Sequence, residues 1–353
     1  MKKTVASKAL MMASAVALVA GCSKGTGSYS LLNDAEDYKQ QAVFIPKQID
    51  ILWVIDNSGS MKTSQDNLAA NFQSFISRFQ QYNYDFHMAV TTTEAWEKQF
   101  NSASEKARIK DGAVLQTNPK IETHSGVFIM DKNTANLGDV FSTNAKQGTL
   151  GNGDERAFSS FKEALLEPQN AGFRRSEAFL AVIIVSDEED FSSSSAAFNE
   201  SYNNANLHTV QSYVDFLDGY VGSRNYSVST ITVPDDACKT SLSTDGFARK
   251  ISTRLPELAT LTAGVKGSLC SNFGSTLELI SDSIIQLSSV FKLNREPQED
   301  TIVITVNGVS VPNDAVNGWT YDASNLTITF HGSSVPAADA NITIDFYPKS
   351  IKL

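Results

Sequence analysis

The sequence predicts a doubly wound, mostly parallel α/β domain followed by a small all-β sandwich. Three observations carry this. Two uninterrupted apolar runs, Ile51-Leu52-Trp53-Val54-Ile55 and Phe179-Leu180-Ala181-Val182-Ile183-Ile184-Val185, each stop at polar residues, Asp56 and Ser186-Asp187. Runs of this kind mark strands buried on both faces of a parallel sheet. Strand-like and helix-like segments alternate from residue 49 to about residue 293, as in α/β domains. Beyond Pro297, short alternating segments are separated by Asn-Gly, Asp-Ala-Ser-Asn and Pro-Ala-Ala-Asp turns, an all-β pattern near the lower size for independent folding.

In chain order, Lys2 and Lys3 precede an apolar stretch over 9–20 and the tetrad Val19-Ala20-Gly21-Cys22. This resembles a bacterial lipoprotein signal, which implies cleavage after residue 21 and lipidation of Cys22. The stretch is too short for a membrane span, which needs roughly 20 apolar residues. Ser23 rather than Asp follows, and by the same resemblance the anchor is expected in the outer membrane, on its periplasmic or its surface face. Residues 22–44 lack periodicity and read as a flexible tether.

The first domain is expected over 45–294. After its first strand, Leu68, Phe72, Phe75, Ile76 and Phe79 fall at helical spacing and form one core-facing stripe. Residues 84–93 read as a strand, and 94–146 as an irregular stretch longer than ordinary connections. Val210, Tyr213, Val214 and Leu217 mark a helix, residues 226–233 a strand, and 255–263 a helix stopped by Gly264. A long helix is expected over 272–293. The second domain, 298–353, is predicted to contain strands over 301–306, 319–322, 326–330 and 342–347, with Asn307-Gly308 as a hairpin turn.

Besides Cys22 the chain holds Cys238 and Cys270. An even pair in an exported protein predicts a disulfide, and no nearby His completes a zinc site. The formal net charge is −10; removal of Lys2, Lys3 and Lys8 with the signal leaves −13. Such acidity excludes nucleic acid as an expected partner and favours capture of a cation.

The functional signal is Asp56-Asn57-Ser58-Gly59-Ser60. At the C-terminal edge of a parallel sheet, where such sheets bind ligands, alternate residues of an extended turn point the same way. One carboxylate and two hydroxyls then form an all-oxygen half-site suited to Mg²⁺, Mn²⁺ or Ca²⁺. The spacing also admits an Asp helix cap with a polar turn.

These residues resemble the metal-ion-dependent adhesion site of von Willebrand factor type A domains, the fold shared with integrin I domains. The resemblance implies a metal site of Asp56, Ser58, Ser60, a Thr on a later loop and an Asp after the fourth strand. Asp187 fits the last position. Thr149, in Gly148-Thr149-Leu150-Gly151-Asn152-Gly153, is the choice for the Thr, with Asp154 or Glu155 as substitutes because the gap to the next helix is longer than the family's. The glycine-rich loop lacks the Lys-Ser/Thr of a phosphate-binding loop. Glu188, Glu189 and Asp190 read as a solvated acidic rim, or as a second cation site.

The resemblance further implies a binding protein, not an enzyme, whose cation engages an Asp or Glu of a protein ligand, with its final helix responding to occupancy. Two alternatives stand beside it. One is a scaffold of an envelope complex in which the metal only fixes the loops. The other is a metal-dependent phosphatase-like hydrolase of haloacid dehalogenase type, with Asp56 as nucleophile; Ser58 stands where such an enzyme needs an acid, so the leaving group lacks a proton donor. The four histidines, His87, His124, His208 and His331, show no zinc spacing.

Overall fold

The computed structural model describes residues 38–43, 48–102, 105–222, 225–337 and 340–349. The expected signal peptide, Cys22 and most of the tether lie outside the described residues. No helix among the described residues is long and apolar enough to cross a membrane.

Strand β1 (Tyr38–Val43) precedes the α/β domain. β2 (Ile49–Ile55) is the first buried run, with all seven residues buried. The predicted apolar stripe follows as two helices, α1 (Lys62–Ala70) and α2 (Phe72–Gln81), divided at Asn71. β3 (Phe86–Thr92) comes next. The stretch over 94–146 holds more order than its sequence suggests: a hairpin of β4 (Gly112–Thr117) and β5 (Lys120–His124), the short β6 (Met130–Asp131), and helix α3 (Leu137–Ala145). The remainder alternates as α4 (Ala157–Leu166), β7 (Phe179–Val185), α5 (Val210–Val221), β8 (Tyr226–Thr232), α6 (Asp236–Leu242), α7 (Arg254–Leu261), β9 (Lys266–Ser268) and α8 (Phe273–Ser288).

Six strands form one sheet in the order β6-β3-β2-β7-β8-β9. All pairings are parallel except that of β3 with β6. Alternate residues of β2 enter opposite cores, as a pleated strand requires. Ile51, Trp53 and Ile55 pack with α2, α3 and α8, where Trp53 meets Phe75 and Phe141 edge-on. Leu52 and Val54 pack with α4, α5 and α7. Helices therefore cover both faces, which is why the strand sequences are apolar throughout. From β2 the chain places β3 on one side and β7 on the other. The carboxyl ends of β2 and β7 thus flank a topological switch point, the crevice where open α/β sheets bind ligands.

The final helix is shorter than its sequence suggests. It ends at Ser288, and β10 (Val290–Lys292) joins a second unit. That unit contains β11 (Val303–Val306), β12 (Val309–Val311), β13 (Trp319–Asp322), β14 (Thr327–Phe330) and β15 (Asn341–Phe346). These strands make two antiparallel sheets, β1-β15-β11-β12 and β10-β14-β13. Asn307 and Gly308 both have positive φ and close the β11–β12 hairpin as expected. β1, within the segment read as tether, pairs with β15 over six residues. Both ends of the α/β domain thus enter the sandwich. Its core residues Ile304, Trp319, Ile328, Phe330 and Ile344 belong to the same apolar cluster as α8.

Candidate metal site at the switch point

Register places the site. Ile55 of β2 pairs with Val185 of β7, so the residues that follow, Asp56 and Ser186-Asp187, leave the sheet side by side. Ser186 Oγ donates to Asp56 Oδ2 at 2.6 Å, and the Ser58 amide donates to Asp56 Oδ1 at 2.8 Å. Ser60 Oγ donates to Asp187 Oδ1 at 2.9 Å and lies 3.1 Å from Ser58 Oγ. Asp56, Ser58, Ser60 and Asp187 therefore form one hydrogen-bonded cluster, although Asp187 lies 127 residues beyond Ser60.

The turn is held from both sides. Gln65 donates through Nε2 to the carbonyls of Asp56 and Gly148, and the Gly151 amide donates to the Asn57 carbonyl. Two glycines permit this approach: a β-carbon on Gly151 would lie 2.7 Å from Asn57, and one on Gly59 would lie 2.8 Å from the Phe247 ring. Thr149 is part of the loop so anchored, yet it is half-exposed and makes no hydrogen bond to the cluster. Asp154 turns away, pairing with Arg156. Glu155 is 4% exposed, and its carboxylate oxygens meet no amide or cationic donor. Asn57 Oδ1 is likewise buried and unpartnered, and the buried Thr93 hydroxyl lies against the Glu155 carboxyl.

The acidic run after Asp187 is not a solvated rim. Glu189 and Asp190 are buried, and both cap helices. Glu189 accepts from the Thr253 and Arg254 amides at the start of α7, and from the hydroxyls of Thr253 and Tyr202. Asp190 accepts from the Phe158 amide at the start of α4 and from Ser192. Unpaired amides of a first helical turn need acceptors, and here carboxylates distant in sequence supply them. Protein donors thus occupy both carboxylates, which leaves Glu188, half-buried, as the member of the run not used as a cap.

Electrostatics set the cluster apart. Burial, then the charge of Asp187, pushes the Asp56 carboxyl up to about 7. Asp187 is also raised by burial, against the opposing pull of Ser60 and Arg249. Burial and the charges of Asp187 and Asp56 push Glu188 up to about 8. Glu155 is raised well above the carboxylate range by burial, then by Asp56. The cause common to all four is burial, to which neighbouring carboxylates add for Asp56, Glu155 and Glu188.

Several cations pair with carboxylates at this edge, among them Lys106 with Glu94 and Arg254 with Asp190, and Arg249 touches the cluster itself. Arg249 donates through Nε to Asp187 Oδ2 and through Nη2 to the Ser60 carbonyl, and pairs with Asp245. Among the described residues no Lys or Arg pairs with Asp56. Neither Arg249 nor Gln65 was read from the sequence. Gln65 carried a usable signal, a polar residue in helical phase with buried Leu68 and Phe72; Arg249, 62 residues beyond Asp187, carried none.

The donor set suits a hard divalent cation: hydroxyls of Ser58 and Ser60, carboxylates of Asp56 and Asp187, and buried oxygens beside them. No three His, Cys, Asp or Glu side chains among the described residues are arranged as a metal centre by themselves; half of this donor set is hydroxyl.

No protein-family model matches the chain, and no curated protein matches it. Solved structures with some similarity include the pilus adhesin SpaC from Lactobacillus rhamnosus GG in its open conformation, at 12% identity and a TM-score of 0.39, covering 87% of this chain and 39% of that one. A second form of SpaC gives 12% identity and a TM-score of 0.38, covering 88% and 41%. Proximal thread matrix protein 1 from the mussel byssus gives 10% identity and a TM-score of 0.38, covering 73% and 52%. The chain thus spans about two-fifths of SpaC, and likeness at these scores transfers neither fold nor role.

Proposed function

We propose that the switch-point cluster is a divalent-cation site through which a lipid-anchored cell-envelope protein binds a carboxylate of a protein partner. The observation that carries this reading is the convergence of Asp56, Ser58, Ser60 and Asp187 into one hydrogen-bonded group. The von Willebrand factor type A resemblance is supported by topology, since β7, which delivers Asp187, is the fourth strand of the six-stranded sheet in chain order. Helices on both faces of a mostly parallel sheet support it too.

Ser58 and Ser60 would hold Mg²⁺, Mn²⁺ or Ca²⁺ through their hydroxyls, with Asp56, Asp187 and an oxygen from the loop before α4. A bound ion would offer a Lewis-acidic position for an Asp or Glu of the partner. The chain's own residues orient the donors: Ser186 and the Ser58 amide fix the Asp56 carboxylate, and Gln65 fixes the turn. The reading is a binding protein rather than a hydrolase, because Ser58 supplies no acid for a leaving group. The envelope location rests on the lipoprotein-like signal and Cys22.

Two measurements test it. Crystals grown with Mn²⁺ should show anomalous density within ligand distance of Ser58 and Ser60. Retention of a partner from envelope extract should occur in Mg²⁺, and be lost in EDTA and with Asp56→Ala. Retention indifferent to all three treatments would refute the cation-dependent reading. It would instead favour the scaffold, a reading supported by Arg249, which already balances Asp187 without a metal.

A further inference from the structure

We infer that Glu155, rather than Thr149, is the cation ligand supplied by the loop before α4. This rests on the divalent-cation reading of the site and names a donor particular to this chain.

Placement comes first. The Arg156 amide donates to the Thr93 carbonyl at 3.4 Å, and the Thr93 amide donates to the Ile55 carbonyl at 3.3 Å. Glu155 therefore sits one residue from a strand-like link to the residue before Asp56. On its other flank, Phe158 and Ser159 are tied to Asp190 and Ser192. Glu155 thus lies between the two loops that deliver Asp56 and Asp187.

Satisfaction comes second. The other buried carboxylates at this edge, Asp56, Glu94, Asp187, Glu189 and Asp190, each accept protein hydrogen bonds. Glu155 is buried to the same degree, yet its oxygens receive no amide or cationic donor, and only the neutral Thr93 hydroxyl acts on them. The cationic side chain next to it, Arg156, is committed to Asp154, Ser193 and the Ser195 carbonyl. Buried carboxylates without a counter-ion are strongly disfavoured, and a divalent cation is the missing partner that suits this donor set. Thr93 Oγ1, fully buried, stands beside it as a neutral oxygen. Thr149, half-exposed, has no comparable need.

The consequence is chemical. A directly bound Glu gives the ion one more negative charge than a Thr would, so the ion is held more tightly and attracts an external carboxylate less strongly.

The test is Mn²⁺ titration of the full chain by calorimetry, with Asp56→Ala as the control for the site. Glu155→Gln should weaken Mn²⁺ binding at least tenfold, and Thr149→Ala should leave it within about threefold. Glu155→Gln should also leave the melting temperature in EDTA unchanged or higher, because the buried carboxyl it replaces has no amide or cationic donor; loss of an ordinary structural contact would lower it. Mn²⁺ binding by Glu155→Gln at wild-type strength, with Asp56→Ala inactive, overturns the assignment of Glu155 and leaves the site standing. Wild-type binding by Asp56→Ala overturns the cation reading itself.

Discussion

The guanidinium of Arg249 donates to Asp187 Oδ2 at 2.7 Å, on the side of that carboxylate away from Ser60 Oγ, which donates to Oδ1 at 2.9 Å. Asp187 is therefore neutralised from outside while Asp56 is not. Asp245, on the outer side of Arg249, holds the guanidinium with two hydrogen bonds. Arg249 is an internal counter-ion for half of the site.

Removing it should expose the repulsion between Asp56 and Asp187. Arg249→Gln is expected to lower the melting temperature in EDTA by several degrees and to enlarge the rise produced by Mg²⁺. Thermal melting with and without Mg²⁺ measures both, and an unchanged Mg²⁺ effect would contradict this role.

The pH dependence of that stabilisation has a definite sign. The Asp56 carboxyl sits at about 7 in the folded chain against 3.8 ordinarily, so the folded state binds a proton more tightly than the unfolded one. Metal-free stability then falls as pH rises from about 4 to about 7, and Glu188, at about 8, extends the fall. A cation competes with those protons. The Mg²⁺-induced rise in melting temperature should therefore be larger at pH 8 than at pH 5; equal rises would rule the linkage out.

At the opposite end of β2, Asp50 is fully buried and accepts from the Arg174 and Arg175 side chains and the Arg175 amide. Breaking a buried pair by deleting one partner costs ~3 kcal/mol or more. Asp50→Ala should lose about that much stability in urea titration while leaving Mn²⁺ affinity unchanged, since the site lies at the other edge of the sheet.

Cys238 and Cys270 form the expected disulfide across a separation of 32 residues. Closing such a loop stabilises by ~3–4 kcal/mol on the chain-entropy model. The bridge anchors α6, which leads into the segment carrying Asp245 and Arg249. Reduction should lower the urea midpoint accordingly and speed amide exchange over 243–250; exchange confined to other segments would count against this coupling.

β1 covers the edge of β15. Deleting residues 38–43 should expose that edge to intermolecular pairing. Light scattering of the truncated chain is expected to show association that the full chain lacks.

Sequence alone specified the buried strands, because residues covered on both faces must be apolar and leave an unbroken run. It also determined the alternation of layers, the Asn307-Gly308 turn, the cysteine pair, and the cluster residues at the ends of β2 and β7. Each of these is local: a run, a period or a turn chemistry. The contributions of packing are non-local. Only the register of Ile55 with Val185 brings Asp56 to Ser186 and Asp187. Glu189 and Asp190 became caps because α7 and α4 start beside them, and four adjacent acids in sequence cannot announce which helix will use them. β1 left the tether for the sandwich because a distant strand offered an edge. Arg249 and Glu155 acquired their places through packing around the switch point, where burial rather than sequence spacing dictates which charge must find a partner.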